Sequence, residues 1–466
     1  MKTIRLFRSL ALTKFVWLSV WLVCISDATA NDLLPQNIRS IRIDSGPSLL
    51  EKPEKEAIPK VIFRGSDARH QVLITGTDSA GLDIDLTRNA TFRFEPEGIA
   101  SIDLFGQIAP LKNGSTTLSA NLEGVASALL HVEVTNWDDN PEVNFPNQVV
   151  PIFTKLGCNG GGCHGKAAGQ NGFKLSLLGF EPSEDFEHLV KESRGRRLST
   201  AMPDSSLLLT KSINAVPHGG GQRLELDSQE YRVLRRWISQ GMKPGKADDR
   251  RVVSLTVTPE HRRMLPKQEQ QVSVAARYSD GTVEDVTPAV QFESNDTDMA
   301  EVDKRGLVSM KSLAGEVAIM ARFQGQVAVF RASVPIVEGE NNWPEPTNAI
   351  DGAVIAQLRS LNIPISRLCD EPTFLRRSTL DLAGRLPTLV EVDIFSQDQS
   401  ANKRERLIDR LLESDDYADH FANKWMLILR NRRENQGQKA GTFASIDPDA
   451  ATMSRTNWSK GRFDAI

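Results

Sequence analysis

Cysteine is scarce in this chain. Its 466 residues include four, and Cys24 lies in an N-terminal apolar run expected to be removed. The remaining three, Cys158, Cys163 and Cys369, are too few for a disulfide scaffold. Tyrosine occurs three times, and aromatic residues make up 6%. Neither sign of charge dominates: 56 Lys and Arg against 60 Asp and Glu leave a net charge of −4. No basic field therefore points to nucleic acid. The sequence has no recognisable Ser-His-Asp, His-Glu-x-x-His or phosphate-loop motif, so the chain is not read as an enzyme. Long apolar runs are missing too. Residues 15–24 form a run of ten broken only by Ser19, which is short for a membrane span.

What is present begins with that run. Lys2, Arg5, Arg8 and Lys14 make a basic start, and Ala28-Thr29-Ala30 offers small residues for cleavage. Residues 1–30 are expected to be a signal peptide, with an uncleaved anchor as the alternative. The chain is then exported, to the periplasm or the cell surface. Its length implies three or four domains. Its 40% hydrophobic and 25% charged residues are those of a soluble globular protein.

The most informative stretch is Cys158-Asn-Gly-Gly-Gly-Cys163-His164. A cysteine pair ending in Cys-His is how a c-type haem is attached. Each thiol adds to a vinyl group, and the adjacent imidazole ligates the iron. The usual spacing has two residues between the cysteines; here there are four. Glycines at 160, 161 and 162 are expected to reach positive φ and fold the loop so that both sulfurs meet one ring. Two other readings remain open: a Cys158–Cys163 disulfide in an oxidising compartment, and a zinc site, which needs a fourth ligand.

A second axial ligand is expected on a later loop. Val216-Pro217-His218 occupies that place, so His218 is the expected distal ligand, with Met202 as the alternative. Lys166, Lys174 and Arg223 are candidates for the haem propionates. The iron so held implies electron transfer with an unidentified redox partner protein.

Residues 36–136 read as short strands with turns between them. A similar pattern recurs over 252–337: Val272-Ser-Val-Ala-Ala-Arg-Tyr-Ser-Asp-Gly follows the strand and turn that begin at Val72. Ala300-Glu-Val-Asp likewise follows Ala100-Ser-Ile-Asp. These stretches resemble the bacterial immunoglobulin-like group 2 module, the first copy diverged and longer. Such modules are usually spacers or adhesive units, so contact with a cell surface or polysaccharide is possible. Asp280, Glu284, Asp285 and Asp303 are read as solvated charges rather than a calcium site.

Between the copies, residues 149–248 read as helical. Helices are expected at 149–156 and 183–191. A third should open with a capping box at Asp227-Ser-Gln-Glu230 and end at Gly241. Its Tyr231, Leu234, Trp237 and Ile238 share one face, which resembles the C-terminal helix of c-type cytochrome domains. That likeness implies that Trp237 packs on the helix preceding the cysteines. Residues 348–435 read as further helices, with a capping box at Thr388-Leu-Val-Glu391. Phe374-Leu-Arg-Arg-Ser-Thr-Leu-Asp-Leu-Ala-Gly-Arg-Leu-Pro-Thr388, Leu407-Ile-Asp-Arg and His420-Phe-Ala-Asn-Lys-Trp-Met resemble domain of unknown function 1549. It occurs in planctomycete multidomain proteins, often with c-type cytochrome and immunoglobulin-like parts. Residues 445–466 lose the helical pattern, so a truncated or frame-shifted product with an aberrant tail is expected.

The expected fold is therefore multidomain: two all-β immunoglobulin-like sandwiches flanking an all-α cytochrome c-like domain, then an α-helical domain. The alternative to a haem protein is a non-redox surface or carbohydrate-associated module with a Cys158–Cys163 disulfide, or an accessory part of a larger enzyme.

Overall fold

The computed structural model describes residues 38–44, 46, 58–246, 248–337, 339 and 341–428. The expected leader (1–30) and tail (445–466) lie outside the described residues. The chain divides into two compact units, Met1–Pro364 and Ile365–Ile466. Strands dominate the N-terminal side and helices the C-terminal side.

The first unit opens with β1 (Ile38–Asp44), β2 (Lys60–Arg64), β3 (His70–Gln71), β4 (Leu73–Asp78), β5 (Asp83–Asp85), β6 (Thr91–Glu95), β7 (Ala100–Ile102), β8 (Gln107–Pro110), β9 (Gly114–Leu122) and β10 (Val125–Thr135). They form sheets in the orders β1-β4-β5, β2-β10-β9-β6 and β3-β8-β7. Strand periodicity drives the packing: Thr116, Leu118 and Ala120 of β9 point inward at alternate positions. They join Phe63, Val72, Ile108 and Leu130 in the buried interior.

A helical segment follows. A tight helical turn, Phe145–Val149, leads into α1 (Val150–Lys155); then come α2 (Pro182–Phe186), α3 (Leu207–Ser212) and α4 (Gln229–Ser239). The cap of α4 is Ser228, one residue later than expected, and its hydroxyl accepts the Tyr231 N–H. Asp227 instead takes a left-handed φ of +59°, which turns its side chain out of the capping position. Tyr231, Leu234, Trp237 and Ile238 are all buried, as the periodicity implied. The Trp237 ring lies 5.2 Å from Phe145, just before α1.

The second β-module repeats the first strand for strand: β11 (Val252–Thr258), β12 (His261–Arg263), β13 (Glu269–Gln271), β14 (Ser273–Tyr278), β15 (Val283–Asp285), β16 (Gln291–Ser294), β17 (Ala300–Val302), β18 (Leu307–Met310), β19 (Gly315–Phe323) and β20 (Gln326–Val334). Its sheets run β11-β14-β15, β12-β20-β19-β16 and β13-β18-β17. The first copy is thus no looser in topology than the second, although its sequence has drifted. Gly106 and Gly306 occupy the same tight turn at φ +81° and +84°, and a Cβ on Gly106 would stand 2.5 Å from the Val72 carbonyl.

The two modules grip each other reciprocally. Asp85 accepts the Gln271 N–H at 2.5 Å, and Asp285 accepts the Gln71 N–H at 2.6 Å. Each carboxylate also accepts its own module's Thr87 or Thr287 N–H, both at 2.9 Å. Burial pushes the Asp85 carboxyl upward, against these bonds. Arg305 reaches Asp103 at 3.1 Å, and Arg88 pairs with Glu269. The helical segment is fastened to both modules. Arg236 pairs with Asp67, Gln229 donates to the Asp67 carbonyl, and Lys155 bonds Glu230 and the Pro288 carbonyl. A cleft of about 1210 Å³ lies where the three parts meet.

The acids weighed as calcium ligands have structural work. Asp280 and Asp303 accept backbone N–H groups of their own turns, Glu284 pairs with Arg250, and Asp285 belongs to the inter-module grip.

The helix α5 (Ala349–Ser360) is capped by Asn348. It falls within the first compact unit, which ends at Pro364. Trp343 donates to the Ile363 carbonyl at 2.8 Å just beyond it. The second unit holds α6 (Glu371–Ala383), α7 (Leu389–Gln397), α8 (Lys403–Leu412) and α9 (Asp415–Ile428). Asp370 caps α6, Gly384 ends it at φ +70°, and Thr388 with Glu391 forms the expected capping box. Leu375, Phe395, Leu407 and Leu411 make its small core. Among the described residues no helix is long and apolar enough to cross a membrane.

Arg385 joins Glu391 and Asp416 in the second unit, and its guanidinium holds the Glu391 carboxyl down at about 2. An acid depressed on folding stabilises above its unfolded value of about 4.3 and loses that effect as pH falls toward the folded value. Arg385→Ala is expected to destabilise the second unit by about 1 kcal/mol at pH 7, solvent screening included. The difference from wild type should shrink as pH falls through about 2 and vanish below it. Protection factors of the Leu375 and Leu411 amides measured across that range check this.

Candidate functional site

The cysteine loop begins where α1 stops. Gly157, at φ +72°, reverses the chain; Gly160, Gly161 and Gly162 do not take positive φ. The expected role of those three glycines is corrected: the left-handed turn falls before the first cysteine. Cys158 N–H bonds the Phe153 carbonyl at 2.8 Å, Cys163 N–H bonds Gly160, and His164 N–H bonds the Cys158 carbonyl at 3.0 Å. Gly165 closes the loop so tightly that a Cβ there would lie 1.9 Å from the Asn159 carbonyl oxygen. Asn159 is fully buried and donates to Thr154 Oγ1 at 2.8 Å.

Cys158 and Cys163 are both free thiols, so the disulfide reading is not what the structure contains. Cys158 packs against the helical core, and burial pushes its thiol up to about 11. Cys163 Sγ lies 4.0 Å from the Arg223 guanidinium. Among the described residues no group of three or more His, Cys, Asp or Glu side chains is gathered as a metal cage.

The histidines are brought together. His164 Nδ1 lies 3.0 Å from the Phe173 carbonyl, and His218 Nδ1 lies 2.9 Å from the Gly221 carbonyl. A carbonyl only accepts, so each ring donates from Nδ1, and in a neutral ring Nε2 is then the atom with the lone pair. Burial lowers the His164 pKa, which favours the neutral, ligating form. The two ring centres are 6.4 Å apart and their planes differ by 7°. An imidazole nitrogen about 2.0 Å from a metal sets two opposed ring centres roughly 6 Å apart. The His164–His218 separation is of that order, with the two rings nearly parallel.

Met202, the alternative ligand, is 63% exposed at the start of the turn Pro203–Ser205. Lys166 and Lys174 are exposed. Arg223 Nε donates to the Gly220 carbonyl at 2.8 Å, so this one side chain touches both the cysteine loop and the His218 loop. Leu177, 54% exposed, lies against Gly161, and Phe180 is 78% exposed on the same stretch. The large cleft is elsewhere: Cys158, Cys163, His164 and His218 are not among its lining residues.

Sequence reasoning missed Phe173, Gly165 and Arg197. Arg197 is buried beneath the Phe173 ring, 4.7 Å from its centre. Gly165 had a local sign, as the glycine directly after Cys-His. Arg197 had none, since it stands in the basic run Arg194-Gly-Arg-Arg197 that reads as a solvated face.

Gly165→Ala is expected to open the loop, because the clash is with backbone that cannot step aside. The reaction of Cys158 with a thiol reagent should quicken at least tenfold over wild type while α4 keeps its amide protection. Unchanged thiol rates would count against the loop geometry described.

Residues 349–448 match the family model described as PSCyt2, protein of unknown function (DUF1549). No curated protein matches the chain. Among solved structures, the chain is similar to the S-layer protein rSbsC(31-844), with 7% identity and a TM-score of 0.17 over 66% of this chain and 29% of that one. It thus spans less than a third of that protein's length. It is also similar to domains 5-6 of the S-layer protein SbsC, with 10% identity and a TM-score of 0.24 over 60% of this chain and 94% of that one. A third likeness is to invasin, a bacterial integrin-binding protein, with 11% identity and a TM-score of 0.11 over 63% of this chain and 59% of that one.

Proposed function

We propose that residues 149–248 form an all-α c-type haem domain, carried between two immunoglobulin-like modules on a protein exported to the periplasm or cell surface. The observation that carries this reading is the histidine pair: two nearly parallel rings 6.4 Å apart, each with Nδ1 tied to a backbone carbonyl. Cys158 and Cys163 would hold the haem through thioether bonds, each thiol adding across a vinyl group. His164 and His218 would ligate its iron. When bound, haem supplies a one-electron couple.

The chain's own residues orient that group. Phe173 and Gly221 carbonyls fix the imidazole tautomers. Leu177 and Phe180 offer apolar surface beside the loop. Arg223 stands 4.0 Å from Cys163 Sγ and would lie beside that attachment point. Bis-histidine ligation makes the couple more reducing than His/Met ligation. On this reading the redox partner is a protein.

A second reading is a non-redox surface module or an accessory part of a larger enzyme. What favours it is the family match, which lies wholly outside the cysteine loop and is to a protein of unknown function.

Co-expression with cytochrome c maturation proteins is expected to give a chain that keeps haem stain on a denaturing gel. Loss of the stain from wild type would remove the haem reading and leave the second. In the loaded protein, His218→Ala should lose the low-spin visible spectrum and Met202→Leu should keep it. The reverse result would make Met202 the ligand.

A further inference from the structure

Behind His164 lies a buried cation that the haem reading does not use. Arg197 is 9% exposed. Its guanidinium donates to the Gly172 carbonyl at 2.7 Å, His188 at 2.8 Å, Glu192 at 3.1 Å and Ser193 Oγ at 3.0 Å. These acceptors are three carbonyls and a hydroxyl, none a carboxylate. A charge taken out of water and held by neutral groups is costly. The segment wrapped around it is strained as well: Ser193 and Arg194 both sit in the left-handed region, at φ +54° and +58°. Left-handed backbone is unfavourable for residues with a Cβ and persists where surrounding contacts enforce it.

The contacts lead to the imidazole. The Arg197 guanidinium stacks 4.7 Å from the centre of the Phe173 ring while bonding the carbonyl of Gly172 just before it. The Phe173 ring lies 4.6 Å from the His164 ring, and the Phe173 carbonyl takes the His164 Nδ1 proton. One guanidinium thus fixes both the ring and the peptide against which His164 is set.

We propose that Arg197 is a positioning residue for His164: it locks the Gly172–Phe173 turn whose carbonyl orients the imidazole, and it places a permanent positive charge behind the proximal ligand. This rests on the haem reading and deepens it. The turn aims Nε2, and the charge favours the reduced state of iron held there. Lysine supplies the charge but cannot bond four acceptors in the guanidinium's planar spread. The two roles are therefore separable.

The test uses the full chain in haem-free and haem-loaded forms. In haem-free protein labelled with ¹⁵N-histidine, the His164 Nδ1 proton should exchange at least tenfold faster in Arg197→Gln and in Arg197→Lys than in wild type. In loaded protein, Arg197→Gln should shift the one-electron equilibrium about tenfold toward the oxidised state, about 59 mV. Arg197→Lys should restore most of that shift. Unchanged Nδ1 exchange in a folded Arg197→Gln chain would overturn the positioning role, and an unchanged potential would overturn the charge role. Should Arg197→Gln fail to fold, Arg197→Lys carries the exchange test alone. Should wild type retain no haem, the haem reading falls, and the exchange measurement still decides whether Arg197 sets the imidazole.

Discussion

Two carboxylates hold the first unit together. Asp85 and Asp285 each accept a backbone N–H from the last residue of a short edge strand in the other module, Gln271 of β13 and Gln71 of β3. A buried backbone donor without a partner is expensive, so each module completes the other's hydrogen bonding. The modules are far apart in sequence, and joining them closes the chain into a large loop. The helical segment is what that loop contains. Its ends are set by the two modules, and Arg236, Gln229 and Lys155 fasten its flank to them.

That arrangement leaves the cysteine loop to be shaped from within. The shaping groups are local: a reversal at Gly157, a close approach at Gly165, and the buried amide of Asn159. Two histidines from distant parts of the segment then meet, each turned by a carbonyl so that the same nitrogen is free. Of the two thiols, Cys158 is pressed against the core and Cys163 lies beside a guanidinium. A small number of backbone carbonyls does most of the orienting.

Much of this was legible beforehand, for stated reasons. Strand alternation and turn glycines repeat at a fixed interval, so Gln71 and Gln271, Asp85 and Asp285, Gly106 and Gly306 stand in matching places. The buried face of α4 followed from helical spacing, and its capping was misplaced by one residue because Asp and Ser compete as caps. The cap of α7 and the stop of α6 were written plainly in Thr388, Glu391 and Gly384. In the site, the nearness of His218 to His164 followed from its place in the chain. The inter-module grip did not, because an aspartate that bonds a distant backbone N–H looks like any surface acid. The work of Arg197 was hidden for the same reason: burial of a charge is a property of the fold and leaves no mark on its neighbours in sequence.

A self-complementary pair of repeats has a consequence for how the molecule comes into being. The first module is complete about two hundred residues before the second. At growth rates of about 5–20 residues/s that is roughly 10–40 s. Throughout that interval its half of the clasp is formed and waiting. A neighbouring nascent chain displays the same half, and one whose second module has just emerged displays its mate. Crowded synthesis therefore invites strand-to-strand exchange between molecules, and dilution favours each chain closing on itself.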